Sequence, residues 1–184
     1  MIDTDALIRC CINNEIKAQK ILYHQYANAM LSVCYRYCNS IHDAQDVLQE
    51  GFIKVFKHLY QFNKQGELGA WIRRIMVNEA LSFIQKKNKI HFTDLSEQIE
   101  ESINPSVEIK LAADELTTLI KNLPIGYQTI LNLHAIEGYT HVEIAALLNI
   151  SDSTSRTQYL RAKKLLLLKI QQQQMNTYKM EKHA

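Results

Sequence analysis

The sequence predicts an all-α protein: two small helical domains joined by an acidic linker, the C-terminal one carrying a helix-turn-helix. Three observations predict it. Only 5 Gly and 2 Pro interrupt 184 residues of 47% hydrophobic content, which suits long helices and not a turn-rich β fold. Apolar residues recur at spacings of three and four along most of the chain. Between residues 91 and 110 the character changes, with Asp94, Glu97, Glu100, Glu101 and Glu108 gathered around the breaker Asn104-Pro105. The expected domains are therefore 1–90 and 111–170, with the linker at 91–110 and a polar tail at 171–184.

The first helix is expected over residues 5–13, with Ala6, Leu7, Cys10 and Cys11. A longer one runs from Glu15 to Cys38, where Leu22, Tyr26, Ala29, Met30, Val33 and Tyr37 follow helical spacing. Asn39-Ser40 breaks it. His42 to His58 is the next helix, with Val47, Phe52, Val55, Phe56 and Leu59 on its apolar positions. Asp43, Asp46, Gln49 and Glu50 form an acidic, polar patch in its N-terminal half, where acid suits the helix dipole. Gly51 is out of place in a helix interior, at about 1 kcal/mol relative to Ala.

Residues 61–69 read as a loop marked by Asn63, Gly66 and Gly69, and residues 70–89 return to helix. Trp71, Ile75, Ala80, Leu81 and Ile84 are expected to pack inward, Trp71 in the core. Arg73, Arg74, Lys86, Lys87 and Lys89 stand against Glu79 alone, a basic helix that fits a phosphate backbone. Phe62 lies in the adjacent loop, and aromatic groups stack on unpaired bases.

The second domain opens near Leu111, with Leu116, Leu119, Ile120 and Leu123 apolar. Pro124 suits the first position of the next helix, which buries Tyr127, Ile130, Leu131 and either Leu133 or His134 and ends at Gly138. Residues 139–168 then form the helix-turn-helix. Thr140 and Glu143 make a capping box, Asn149-Ile150 the turn, and Ser151 the next N-cap with Asp152 behind it. Tyr159, Ala162, Leu165 and Leu166 face inward. Arg156, Thr157, Leu160, Arg161 and Lys164 make a stripe on the other side, the arrangement that lays a helix in a DNA major groove. The tail from Gln171 is expected to fray.

The net charge of +2 says nothing about partners. No apolar run of about 18 residues predicts a membrane span, and the first residues lack the basic-then-apolar pattern of a signal peptide, so a cytoplasmic protein is expected. Cys10, Cys11, Cys34 and Cys38 have no finger-like spacing and read as reduced, part-buried thiols. No Gly-rich phosphate loop, nucleophile elbow or convincing carboxylate pair appears, so no catalysis, cofactor, metal or small-molecule substrate is expected. The residues by themselves describe a binding protein with two helical modules.

The order of the pieces adds to this. DAQDVLQEGFIKVF at 43–56, AWIRRIMVNEALSFI at 70–84, LPIGYQTILNLHAIEGYTHVEIAALLNIS at 123–151 and TSRTQYLRAKKLL at 154–166 resemble the sigma-70 family. Within it they are most similar to the short extracytoplasmic-function (ECF) sigma factors. The resemblance implies a transcription initiation factor that binds core RNA polymerase, reads −35 and −10 promoter elements and helps melt the DNA. Asp46, Gln49 and Glu50 match positions that grip the β′ clamp helices, and the β flap is a further implied contact. The loop at 61–69, with Phe62, and Asn78 resemble the pocket for a base flipped from the −10 strand. Arg73, Arg74, Lys86 and Lys87 would hold phosphates. Arg156, Thr157, Leu160, Arg161 and Lys164 match the −35 recognition helix. An anti-sigma factor is a further implied partner, and no membrane insertion is implied.

The chain departs from the family pattern in three places. Ser155 stands where a buried aliphatic residue is usual, which implies looser packing of the recognition helix. Gly51 replaces a Thr or Ala-like residue, and Leu68-Gly69 an aromatic-Arg pair. Two rivals stay open at this level: a polymerase-independent helix-turn-helix regulator and a helical protein-binding adaptor. The regulator leaves the 43–56 patch and the basic helix unexplained; the adaptor predicts no salt-dependent DNA affinity.

Overall fold

The computed structural model describes residues 3–38, 40–88 and 113–182. They form helices α1 (Thr4–Ile12), α2 (Ile16–Tyr35), α3 (Ile41–His58), α4 (Leu68–Asn88), α5 (Ala113–Lys121), α6 (Ile125–Leu131), α7 (His141–Leu148) and α8 (Asp152–Lys182). A 3₁₀ turn, Leu59–Gln61, extends α3, and a π turn, Asn132–Ile136, extends α6. The chain divides into two compact units, 1–89 and 90–184. The expected acidic linker at 91–110 lies outside the described residues.

In the first unit, α2, α3 and α4 pack mutually and α1 packs on α2. Asn14, in the left-handed region at φ 61°, turns the chain between α1 and α2. Ser40 caps α3, its Oγ accepting from the Asp43 amide at 3.1 Å. Leu22, Met30 and Val33 of α2 meet Val47, Phe52 and Val55 of α3 and Ile72, Met76, Val77 and Ile84 of α4 in the buried core. The Tyr23 and Phe52 rings lie 4.7 Å apart. Gly51 now has a reason: a Cβ there would overlap Met76 Sδ, so α3 and α4 cross at a point where any side chain would have to displace Met76. Ala29, expected on the core face, is exposed.

Two expectations for α4 need correction. It starts at Leu68, not 70, because Leu68 is buried and Gly69 lies inside the helix against Tyr26, whose ring carbon is 3.1 Å from where a Cβ would be. Trp71 is half-buried rather than in the core. Ile72, Met76, Val77, Ala80 and Ile84 take the inward face, and neighbouring residues on a helix point about 100° apart.

In the second unit, Ile120, Leu123, Tyr127, Leu131 and Ala162 form a buried cluster, with Leu165 and Leu166 packed on it. Pro124 is the N-cap of α6, not its first helical residue: its backbone is extended at ψ 137°, and its carbonyl accepts the first bond, from Gln128 N at 3.0 Å. Leu133 takes the inward position and His134 stays half-buried. Gly138 closes the π turn at φ 79°. Of the apolar residues of α5, Leu119 and Ile120 are buried and Leu116 is 37% exposed. α8 continues past Gln171 into the polar tail, to Lys182. Its Gln, Leu, Lys and Met residues lose little rotamer freedom in a helix, and no Gly or Pro occurs after Asp152. Among the described residues no helix is long and apolar enough to cross a membrane.

Candidate functional site

The helix-turn-helix is built by local chemistry. The Thr140 hydroxyl accepts from the Glu143 amide at 3.3 Å, and the Thr140 amide donates to Glu143 Oε2 at 2.8 Å, a complete capping box. Asn149 adopts φ 55°, ψ 49° and ends α7 in the left-handed conformation. The Ser151 Oγ accepts from the Thr154 amide at 3.0 Å and starts α8. Ile144 and Leu148 fill the space under the turn.

The stripe on α8 divides by exposure. Arg156, Thr157 and Leu160 are exposed, while Arg161 and Lys164 are half-buried. Arg156 Nε donates to Asp152 Oδ2 at 2.9 Å, one turn back, and the Thr157 hydroxyl donates to the Ser153 carbonyl at 2.9 Å.

Ser155 does not leave the packing loose. It is fully buried, and its Oγ lies 3.0 Å from His141 Nδ1, tying α8 to the start of α7. The His141 ring stacks on His134 at 4.2 Å and approaches Tyr159 at 5.7 Å. His134 Nδ1 lies 2.8 Å from the Tyr139 carbonyl, which can only accept, so that nitrogen carries the proton. Burial first, then His134 and Arg156, hold the His141 pKa below the ordinary histidine value, against Asp152. No residue spacing announces this cluster.

In the first unit, Asp46, Gln49 and Glu50 are exposed together on α3. Asp46 and Gln49 also line a groove of about 450 Å³ with Tyr23, His24 and Asn28 of α2. Asp43 is set apart from this patch: both its carboxylate oxygens accept from Lys87 Nζ, at 2.7 and 2.8 Å. That bond chiefly holds the Asp43 carboxyl below the usual range.

The connection from α3 to α4 is a shaped loop. Phe62 is half-buried, its ring 5.7 Å from that of Trp71. Lys64 and Gly66 have φ of 62° and 130°, and the Asn63 side chain accepts from the Gln65 amide at 3.1 Å. Lys64 Nζ donates to Asp5 Oδ2 of α1 at 2.6 Å. Arg74 and Asn78 are exposed one turn apart on α4 and Arg73 is half-buried. Lys86 and Lys87 are exposed two turns further on, so the basic residues make two groups, not one. Glu79, counted in the sequence only as a lone negative charge, is buried and paired with Lys54 of α3. All four cysteines are free thiols; Cys11, Cys34 and Cys38 are buried, and burial pushes the Cys34 thiol up to about 12.

The described residues thus present an exposed acidic face on α3, an aromatic loop beside basic residues of α4, and a partly basic stripe on α8. Two family models match the same pieces: Sigma-70 region 2 over residues 22–90 and Sigma-70, region 4 over residues 113–166, together about two thirds of the chain. The chain belongs to the sigma-70 family, as an ECF sigma factor. Among curated relatives it is 26% identical over 155 residues to the ECF RNA polymerase sigma factor SigW of Bacillus subtilis, covering 77% of this chain and 82% of that one. It is 30% identical over 152 residues to the ECF RNA polymerase sigma factor SigE of Mycolicibacterium smegmatis, covering 79% of this chain and 58% of that one. The sigma factor RpoE of Bartonella quintana, solved in complex with the anti-sigma factor NepR, shares the fold with a TM-score of 0.52 at 21% identity, over 82% of this chain and 96% of that one. As a sigma factor the chain binds core RNA polymerase and directs promoter-specific initiation. The family is not one of enzymes.

Proposed function

We propose that the three surfaces divide the work of a sigma factor among named residues. Asp46, Gln49 and Glu50 on α3 bind the β′ clamp helices, beside the groove lined by α2. The α3–α4 loop, with Phe62, and Asn78 on α4 capture a base that has left the −10 stack, which offsets a few kcal/mol of unstacking. Arg73, Arg74, Lys86 and Lys87 hold the phosphates around it. Arg156, Thr157, Leu160, Arg161 and Lys164 on α8 read the −35 element in the major groove. An arginine bidentate to guanine there contributes about 1–3 kcal/mol of discrimination. The polymerase performs the chemistry, the chain performs none, and it acts in the cytoplasm.

The observation that carries this reading is the exposed carboxylate pair Asp46 and Glu50, one helix turn apart on a face that the core of the unit does not use. An anti-sigma factor fits as a regulator: RpoE of Bartonella quintana, which shares the fold, is solved in complex with one. The test is run-off transcription with purified core polymerase. The wild-type chain should direct initiation at selected promoters. Asp46→Ala with Glu50→Ala should abolish core binding and spare the C-terminal unit's affinity for duplex DNA. Unchanged core binding by the double variant would move the core-binding surface off Asp46 and Glu50, whereas a wild-type chain that neither binds core nor stimulates initiation would favour a regulator that works without polymerase.

A further inference from the structure

Leu160 is 63% exposed at the centre of the recognition stripe, one turn beyond Arg156. Single exposed apolar side chains are ordinary on a protein surface. This one is surrounded by the side chains that meet base edges in the reading above, on which the following inference rests. The Thr157 hydroxyl donates to the Ser153 carbonyl at 2.9 Å, a bond it would have to give up to donate to a base. The Thr157 methyl therefore adds to the apolar character of Leu160, three residues on. Arg156 is held differently. Its Nε is engaged by Asp152 at 2.9 Å, which leaves the two terminal nitrogens for a pair of acceptors.

In the major groove, the apolar feature that a base pair presents is the C5-methyl of thymine, and the paired acceptors are O6 and N7 of guanine. We propose that Leu160, flanked by the Thr157 methyl, reads a thymine C5-methyl in the −35 element, beside a guanine read by Arg156. Four helical residues advance about 6 Å, close to two base steps of about 3.4 Å each. The thymine therefore lies about two base pairs from the guanine, on either strand.

The test uses holoenzyme reconstituted from core polymerase and the full chain. Promoter fragments are selected from a random duplex library, and the recovered fragment becomes the probe. Each thymine of its upstream element is replaced in turn by uracil, which deletes the methyl and keeps the pairing. One replacement should weaken binding about fourfold, the size of one buried methyl group. It should fall within about two base pairs of a guanine whose replacement Arg156→Ala no longer senses. Leu160→Ala should bind the unmodified fragment about fourfold more weakly and lose nothing more with uracil, whereas Leu160→Met should stay sensitive. Both variants should melt with wild type, the position being exposed.

Wild-type indifference to every uracil, a selected element without thymine there, or full uracil sensitivity in Leu160→Ala would each overturn the inference. If Arg156→Ala still weakens upstream binding in those cases, only the thymine contact is lost. If Arg156→Ala changes nothing, α8 is not in the groove, and both readings fall together.

Discussion

His141, at the start of α7, reaches α8 through one hydrogen bond to Ser155 and one ring contact with Tyr159, and it stacks on His134 of the preceding π turn. Its lowered pKa has a thermodynamic consequence. The folded state disfavours the imidazolium, so as pH falls the unfolded chain takes up the proton first. Stability from this group is complete above about pH 6.5, declines below it, and levels off once the folded value is passed. The full chain should therefore lose melting temperature from about pH 7 to about pH 5, and His141→Gln should lose less over the same interval. An NMR titration of His141 with its midpoint at or above the ordinary histidine value would refute the prediction. Ser155 shows why this was not legible. Its place in the helix could be read, and its smallness suggested slack. Its partner stands 14 residues earlier in another helix, and no periodicity points to it.

Helices were legible wherever their signals were local. The capping box of α7, the left-handed Asn149 and the Ser151 cap are written in neighbouring residues and appear as read. Boundaries failed where a tertiary neighbour decided them: Gly69 looks like a loop residue but is a helical one placed against Tyr26. Gly51 is the clearest case, since its meaning is the crossing of α3 over α4 at Met76. Gly51→Val should overpack that crossing and destabilise the chain by about 1–3 kcal/mol. Met76→Ala should cost about 2–5 kcal/mol through the cavity it leaves. Combined, the two should cost less than their sum, since the added valine side chain fills space that the methionine vacates, with a coupling of about 0.5–3 kcal/mol. Denaturant titration of the four proteins measures the cycle. Additive losses would mean that the crossing is not the constraint on Gly51.

Across the whole molecule, function rests on charges whose neighbours are partly inside the protein. From sequence, Lys86 and Lys87 read as one basic pair. The structure separates them: Lys87 is held by both oxygens of Asp43, 44 residues away, and its ammonium also lies 5.4 Å from the centre of the Phe83 ring. A lysine that reaches a phosphate releases counterions, and each contact steepens the salt dependence of binding by about 0.7 for single strands and about 0.9 for duplex. Lys86→Ala should flatten the slope of holoenzyme–promoter affinity against salt by one such increment. Lys87→Ala should flatten it less, because moving its ammonium to DNA exchanges a carboxylate for a phosphate and gains little. Asp43→Asn should then bring Lys87 up to the contribution of Lys86 and steepen the slope. Promoter affinity measured at several salt concentrations with the four holoenzymes decides this. Equal slopes for the two lysine variants, with no effect of Asp43→Asn, would show that the Asp43 carboxylate does not restrain Lys87 on the path of the DNA.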